Sequence, residues 1–62
     1  MINVTKTNNT DVTINDDLIE TIEETPDTVI TLTTGKKILV KENRQEIINL
    51  IKIYKKELYR QE

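Results

Sequence analysis

The sequence predicts an α+β fold: a small antiparallel β-meander of about five strands, curled or barrel-like, followed by one C-terminal amphipathic helix. Three observations carry that prediction. All ten threonines lie at or before Thr34, interleaved with Val and Ile, a composition that suits pleated, half-buried strands. Beyond Glu42 the threonines stop, and Glu, Lys, Gln, Ile and Leu recur at helical spacing. With 62 residues the chain has room for one domain only, in which 1–41 form the β part and 43–60 the helix.

The β part divides at its turn residues. Ile2 and Val4 alternate with Asn3 and Thr5 in a first strand. Thr7-Asn8-Asn9-Thr10 then makes a turn, because Asn tolerates left-handed backbone and bonds its own main chain. Val12 and Ile14 alternate in a second strand that stops at Asn15-Asp16. Leu18 to Glu24 form a third strand, with a less regular apolar pattern. Glu24-Thr25-Pro26-Asp27 is the next turn, its φ fixed by Pro26. Thr28 to Thr33 and Lys37 to Lys41 supply the fourth and fifth strands.

The last hairpin has a definite register. Ile30 and Leu32 share one face, as do Ile38 and Val40, and the two pairs meet only if facing residue numbers have an even sum. A loop of two residues would place Ile30 opposite Leu39. The loop Thr33-Thr34-Gly35 gives the even sum, and Gly35 then occupies the left-handed position of a turn followed by a bulge. Val29 and Leu39 point to the opposite face. One helix covers only one side of a sheet, so these residues call for a curled sheet or a second subunit.

Asn43 and Glu46 open the helix as a reciprocal cap, each side chain serving the other's main-chain N–H. Ile47, Leu50, Ile51, Tyr54 and Leu58 form one stripe directed at the sheet. Ile48 and Tyr59 flank the stripe on one side, and Ile53 lies well round the other. That apolar arc is wider than one packing face needs. Val29, Leu39, Ile48, Ile53 and Tyr59 are therefore the candidate self-association residues. Lys52, Lys55, Lys56 and Arg60 crowd the later turns, where cations suit the negative end of a helix.

Composition excludes most chemistry. The chain has no Cys, His, Ser, Ala, Phe or Trp. Serine and cysteine nucleophiles are thus absent, as are imidazole ligands and disulfides. A single glycine excludes a glycine-rich phosphate loop. Asp16-Asp17 and Glu23-Glu24-Asp27 offer only oxygen ligands in no calcium-loop spacing, so no metal or cofactor is expected. So short a chain can hardly build a catalytic cleft, and no enzyme is expected. Met1 is followed by neither a basic start nor an apolar run, which predicts a cytoplasmic protein without direct membrane insertion.

Charge is segregated along the chain. One base, Lys6, and seven acids precede Lys36; eight bases and four acids follow from there, for a net charge of −2. Glu23, Glu24 and Asp27 around Pro26 make an acidic hairpin tip, and Lys36 and Lys37 a basic one. These six residues are the candidate partner-binding positions, against a default role as solvated turns.

The run from Leu18 to Lys37, Leu-Ile-Glu-Thr-Ile-Glu-Glu-Thr-Pro-Asp-Thr-Val-Ile-Thr-Leu-Thr-Thr-Gly-Lys-Lys, resembles the signature of the FlbD/SwrD family. Met1-Ile2 through the Asn8 turn and the Val40-Lys41-Glu42 step into the helix are also similar. Thr7-Asn8-Asn9 stands where the family usually has Leu-Asn-Gly, and Thr34-Gly35 where it often has Asn-Gly. The resemblance implies a cytoplasmic, non-enzymatic accessory of the bacterial flagellum. Such an accessory supports swarming by raising motor power through the stator units, and it reaches the membrane-proximal motor through a partner. With the apolar excess, this points to a homo-oligomeric binding module. The alternative is a small β-rich nucleic-acid-binding regulator. Against it stand the net negative charge and the absence of aromatic residues from the β part, which leave little for phosphates or bases to bind.

Overall fold

The computed structural model of the chain describes residues 1–58. Its elements are strands β1 (Ile2–Thr5), β2 (Asp11–Ile14), β3 (Ile19–Glu24), β4 (Thr28–Leu32) and β5 (Lys37–Val40), then helix α1 (Arg44–Leu58). The fold is α+β, as the composition shift at Glu42 predicts. The strands do not form one meander, however, and no barrel closes. They make a two-stranded sheet, β1-β2, and a three-stranded sheet, β3-β4-β5, both antiparallel.

The break falls between β2 and β3. The Asn15 side chain accepts a hydrogen bond from Asp17 N–H at 3.1 Å and starts a single 3₁₀ turn at Asp16–Leu18. That turn redirects the chain, so Leu18 belongs to it and β3 begins one residue later than its apolar pattern predicts. The sheets meet instead along β1 and β5. Lys6 bridges Val40, Thr7 N–H donates to Leu39 C=O at 3.3 Å, and Lys41 N–H donates to Thr5 C=O at 2.8 Å.

Both tight hairpins share one construction. In the second, Gly35 N–H donates to Leu32 C=O and Leu32 N–H donates to Lys36 C=O, both at 2.8 Å, with Gly35 at φ +93°. Ile30 faces Ile38 and Val29 faces Leu39, the even-sum register. In the first, Asn9 N–H donates to Lys6 C=O at 2.9 Å and Lys6 N–H donates to Thr10 C=O at 2.8 Å, with Asn9 at φ 69°. Asn9 thus fills the left-handed position that Gly35 fills in the other hairpin. Added atoms at Gly35 would meet nothing within 4 Å, so only the backbone conformation resists a side chain there. Gly35→Ala should lower the unfolding free energy by about 1–2 kcal/mol, read as a lower urea midpoint at unchanged slope.

The irregular patterning of β3 has a structural cause. Ile19 pairs with Leu32, whereas Thr21 and Ile22 pair with Thr31 and Ile30, so Glu20 is an extra residue in a bulge. An odd separation would send Ile19 and Ile22 to opposite faces of a regular strand. The bulge lets both pack against the core. At the next turn the Thr25–Pro26 peptide bond is cis.

The core joins both sheets to the helix. Ile2, Val4 and Ile14 come from the first hairpin, Ile30, Ile38 and Val40 from the second sheet, and Ile47 from α1, all buried. Leu50, Ile51 and Tyr54 continue the helical stripe, half-buried against that cluster. Asn43 and Glu46 form the expected cap, with both side chain-to-amide bonds at 2.8 Å. The side chain of Leu58, together with Tyr59 and Arg60, lies outside the described residues.

Two buried or half-buried carboxylates fasten the chain at long range. Asp16, its side chain 1% exposed, accepts from the Met1 ammonium at 2.8 Å on Oδ1. Its Oδ2 has no hydrogen-bond partner, but the Lys55 ammonium lies 3.4 Å away and also bonds Asp17 at 3.1 Å. Lys55, from the basic run, therefore pins the last turns of α1 to the 3₁₀ turn. Glu42 receives the Thr5 amide on both carboxylate oxygens, at 2.9 and 3.0 Å.

These bonds set the pH response. The Met1 ammonium holds the Asp16 pKa below its ordinary 3.8 against the opposing effect of burial. Burial pushes the Glu42 carboxyl upward more than any one bond pulls it down, but the hydrogen bonds from Thr5 and from Glu42's own main chain together outweigh it, and the pKa lies below 4.5. Both folded-state values are depressed, so the unfolded chain binds protons first as the pH falls. The stabilisation is complete above the ordinary carboxylate values and disappears as the pH falls through the folded ones. Urea midpoints measured from pH 7 to pH 3 should stay level above about pH 5 and fall steeply below about pH 4. In an Asp16→Asn, Glu42→Gln double variant that fall should be shallower.

Candidate functional site

The two charged tips occupy opposite ends of the three-stranded sheet, because the β3–β4 and β4–β5 turns lie at opposite ends of β4. Glu23, Glu24, Pro26 and Asp27 are all exposed, as are Lys36 and Lys37. The ends differ in how far they are already engaged. Glu24 Oε1 accepts the Arg44 amide at 3.0 Å, so the acidic tip is tied to the start of α1, where a negative charge complements the helix dipole. Asp27 C=O accepts the Thr25 amide across the turn at 3.2 Å.

The basic end opens onto a cleft of about 290 Å³ between the first hairpin and β5. Lys6, Thr7, Asn8 and Val12 line it from one side and Lys36, Lys37, Ile38 and Leu39 from the other. Lys6 is the one base before Lys36 in the sequence, and the fold carries it to the two lysines of the far hairpin. Among the described residues none of these three lysines lies within 4 Å of a carboxylate. Among the described residues no acid lines the cleft.

The candidate self-association residues do not merge into one surface. Val29 and Leu39 sit opposite each other on the outer face of the three-stranded sheet, Val29 half-buried and Leu39 43% exposed. Leu39 also borders the cleft. Ile53, 56% exposed, lies instead beside Met1, Leu50 and Tyr54 around a shallow groove of about 220 Å³. Ile48 is half-buried and does not line that groove. Tyr59 lies outside the described residues.

The site residues that sequence reasoning missed are Ile38 on β5 and, on the first hairpin, Lys6, Thr7, Asn8 and Val12. The four from the hairpin join Lys36, Lys37 and Leu39 only through the β1–β5 seam. The isolation of Lys6 in an otherwise acidic stretch was the one signal that could have marked it. Among the described residues no group of acidic side chains is arranged to hold a metal ion, and no helix is long and apolar enough to cross a membrane.

The geometry defines a small α+β protein with two charged hairpin tips, a basic cleft and two separate exposed apolar patches. The family model described as flagellar and swarming motility proteins, FlbD, matches residues 1–59, and the chain belongs to that family. The resemblance of the Leu18–Lys37 run is thereby confirmed, and the protein has a role in flagellar and swarming motility. Neither a curated protein nor a solved structure matches the chain.

Proposed function

We propose that this protein is a non-enzymatic, cytoplasmic accessory of the flagellum that supports swarming by raising motor power through the stator units, acting as a homo-oligomeric binding module. Family membership supports the motility role, and that family is described by motility rather than by a reaction. The observation that carries the binding reading is the exposure of Leu39 and Ile53 at 43% and 56% on two different sides of so small a molecule. A chain of this size has little apolar area to spare, and exposed apolar residues at two places suit two contacts, one to another copy and one to a motor component.

Cells lacking the protein test the motor reading. Tethered-cell rotation should show reduced torque with filaments still assembled, and restoring the gene should restore it. Normal torque in cells that fail to swarm would overturn the stator reading. Light scattering tests the oligomer: a mass of one chain at working concentration would remove the homo-oligomeric part and leave the motor part standing.

A further inference from the structure

We infer that the basic cleft is a docking groove for an acidic, extended peptide segment of a partner, which adds a strand to the free edge of β5. The inference rests on reading the protein as a contact protein and names the chemistry of one contact.

Backbone directions come first. Leu32 N–H donates to Lys36 C=O, so the main-chain groups of 36, 38 and 40 face β4 and those of 37, 39 and 41 face the other edge. On that edge Leu39 C=O and Lys41 N–H are taken by Thr7 and Thr5. The seam ends there, because the first hairpin turns away at Lys6–Thr10. Among the described residues Lys37 N–H and C=O have no backbone partner across the gap, and the gap is the cleft. An open edge of this kind accepts an added strand through main-chain bonds, while neighbouring pockets select its side chains.

The cleft walls state what those side chains must be. Lys6, Lys36 and Lys37 supply cations on both sides, in a chain whose net charge is −2, and no acid of the cleft answers them. Val12, Ile38 and Leu39 supply apolar wall. A strand alternating carboxylate and aliphatic residues satisfies both, since successive side chains point to opposite sides. Nucleic acid would find cations but no aromatic ring among the lining residues to stack on. The volume suits a few residues, not a folded domain.

The test is a titration of isotope-labelled protein with a capped peptide alternating Glu and Val, followed by amide NMR. Saturable shifts should centre on Thr7, Lys37 and Leu39, weaken with added salt and be absent with a Lys–Val peptide. The exposed pair K36E/K37E should weaken binding at least about ten-fold while leaving the spectrum folded. Lys37→Pro, which removes the free edge N–H and spares the β4 ladder, should weaken it independently. Equal response to the Lys–Val peptide, an unmoved Lys37 amide, or a stronger response to pyrophosphate or a single-stranded oligonucleotide would each overturn the inference. The titration is independent of torque: a silent peptide with normal dependence of torque on the protein sinks this inference alone. A bound peptide without torque loss sinks the stator reading alone.

Discussion

Ile47→Ala should abolish cooperative folding. Among the described residues Ile47 is the one fully buried residue that α1 sends into the core, and its exposure, like that of Ile30, is 0%. The next residues of the stripe, Leu50, Ile51 and Tyr54, are only half-buried and cannot take its place. Truncating a buried isoleucine removes about 2–5 kcal/mol, transfer and cavity terms together. A single core in a chain this short supplies about 3–5 kcal/mol in all. The two figures are of the same size, so the folded population should collapse. Circular dichroism should show no cooperative thermal transition, and amide signals should lose dispersion. Ile53→Ala on the same helix, at 56% exposure, should stay within about 0.5 kcal/mol of the parent. A retained transition for the Ile47 variant would mean that the helix is a passenger on the sheets and not part of their core.

Glu42→Ala is the second large effect. The Glu42 carboxylate is the acceptor that satisfies Thr5 N–H, 37 positions earlier in the chain. Thr5 faces away from β2 and has no other strand to donate to, since β5 ends at Val40. Removing the carboxylate strands a half-buried amide and loses a charge-assisted bond, about 2 kcal/mol. Glu42→Gln keeps one acceptor oxygen and should lose about half as much. The readout is the urea midpoint, with hydrogen exchange of the Thr5 amide as the local check. Fast exchange at Thr5 with slow exchange at Ile30 would show the seam opening before the core. If the alanine variant kept the parent midpoint, the seam between the sheets would have no energetic weight.

What could be read from residue order was mostly local. The β-then-α division follows from where threonine stops, and the Asn43–Glu46 cap from two residues three apart. The Gly35 register needed only the rule that facing numbers have an even sum, and Ile30 does face Ile38. The errors were of longer range. Nothing in the spacing of Ile14 and Leu18 reports that Asn15 will cap a 3₁₀ turn, so a continuous meander was expected where the chain breaks into two sheets. The bulge at Glu20 hid the pattern of β3 because it converts an odd spacing into a shared face. Of the candidate site, the five charged tip residues and Pro26 lie on exposed hairpin ends, but their environments were not readable. Glu24 is engaged by the helix start, whereas Lys36 and Lys37 acquire Lys6 as a neighbour through the seam that couples β1 to β5.

That seam has a temporal side. During translation β1 leaves the ribosome before β5, yet its outer edge is completed only by Leu39, Lys41 and Glu42. The early hairpin must therefore wait as an unfinished edge while β3, β4 and β5 are made, and that edge is closed only when synthesis has passed the junction into α1.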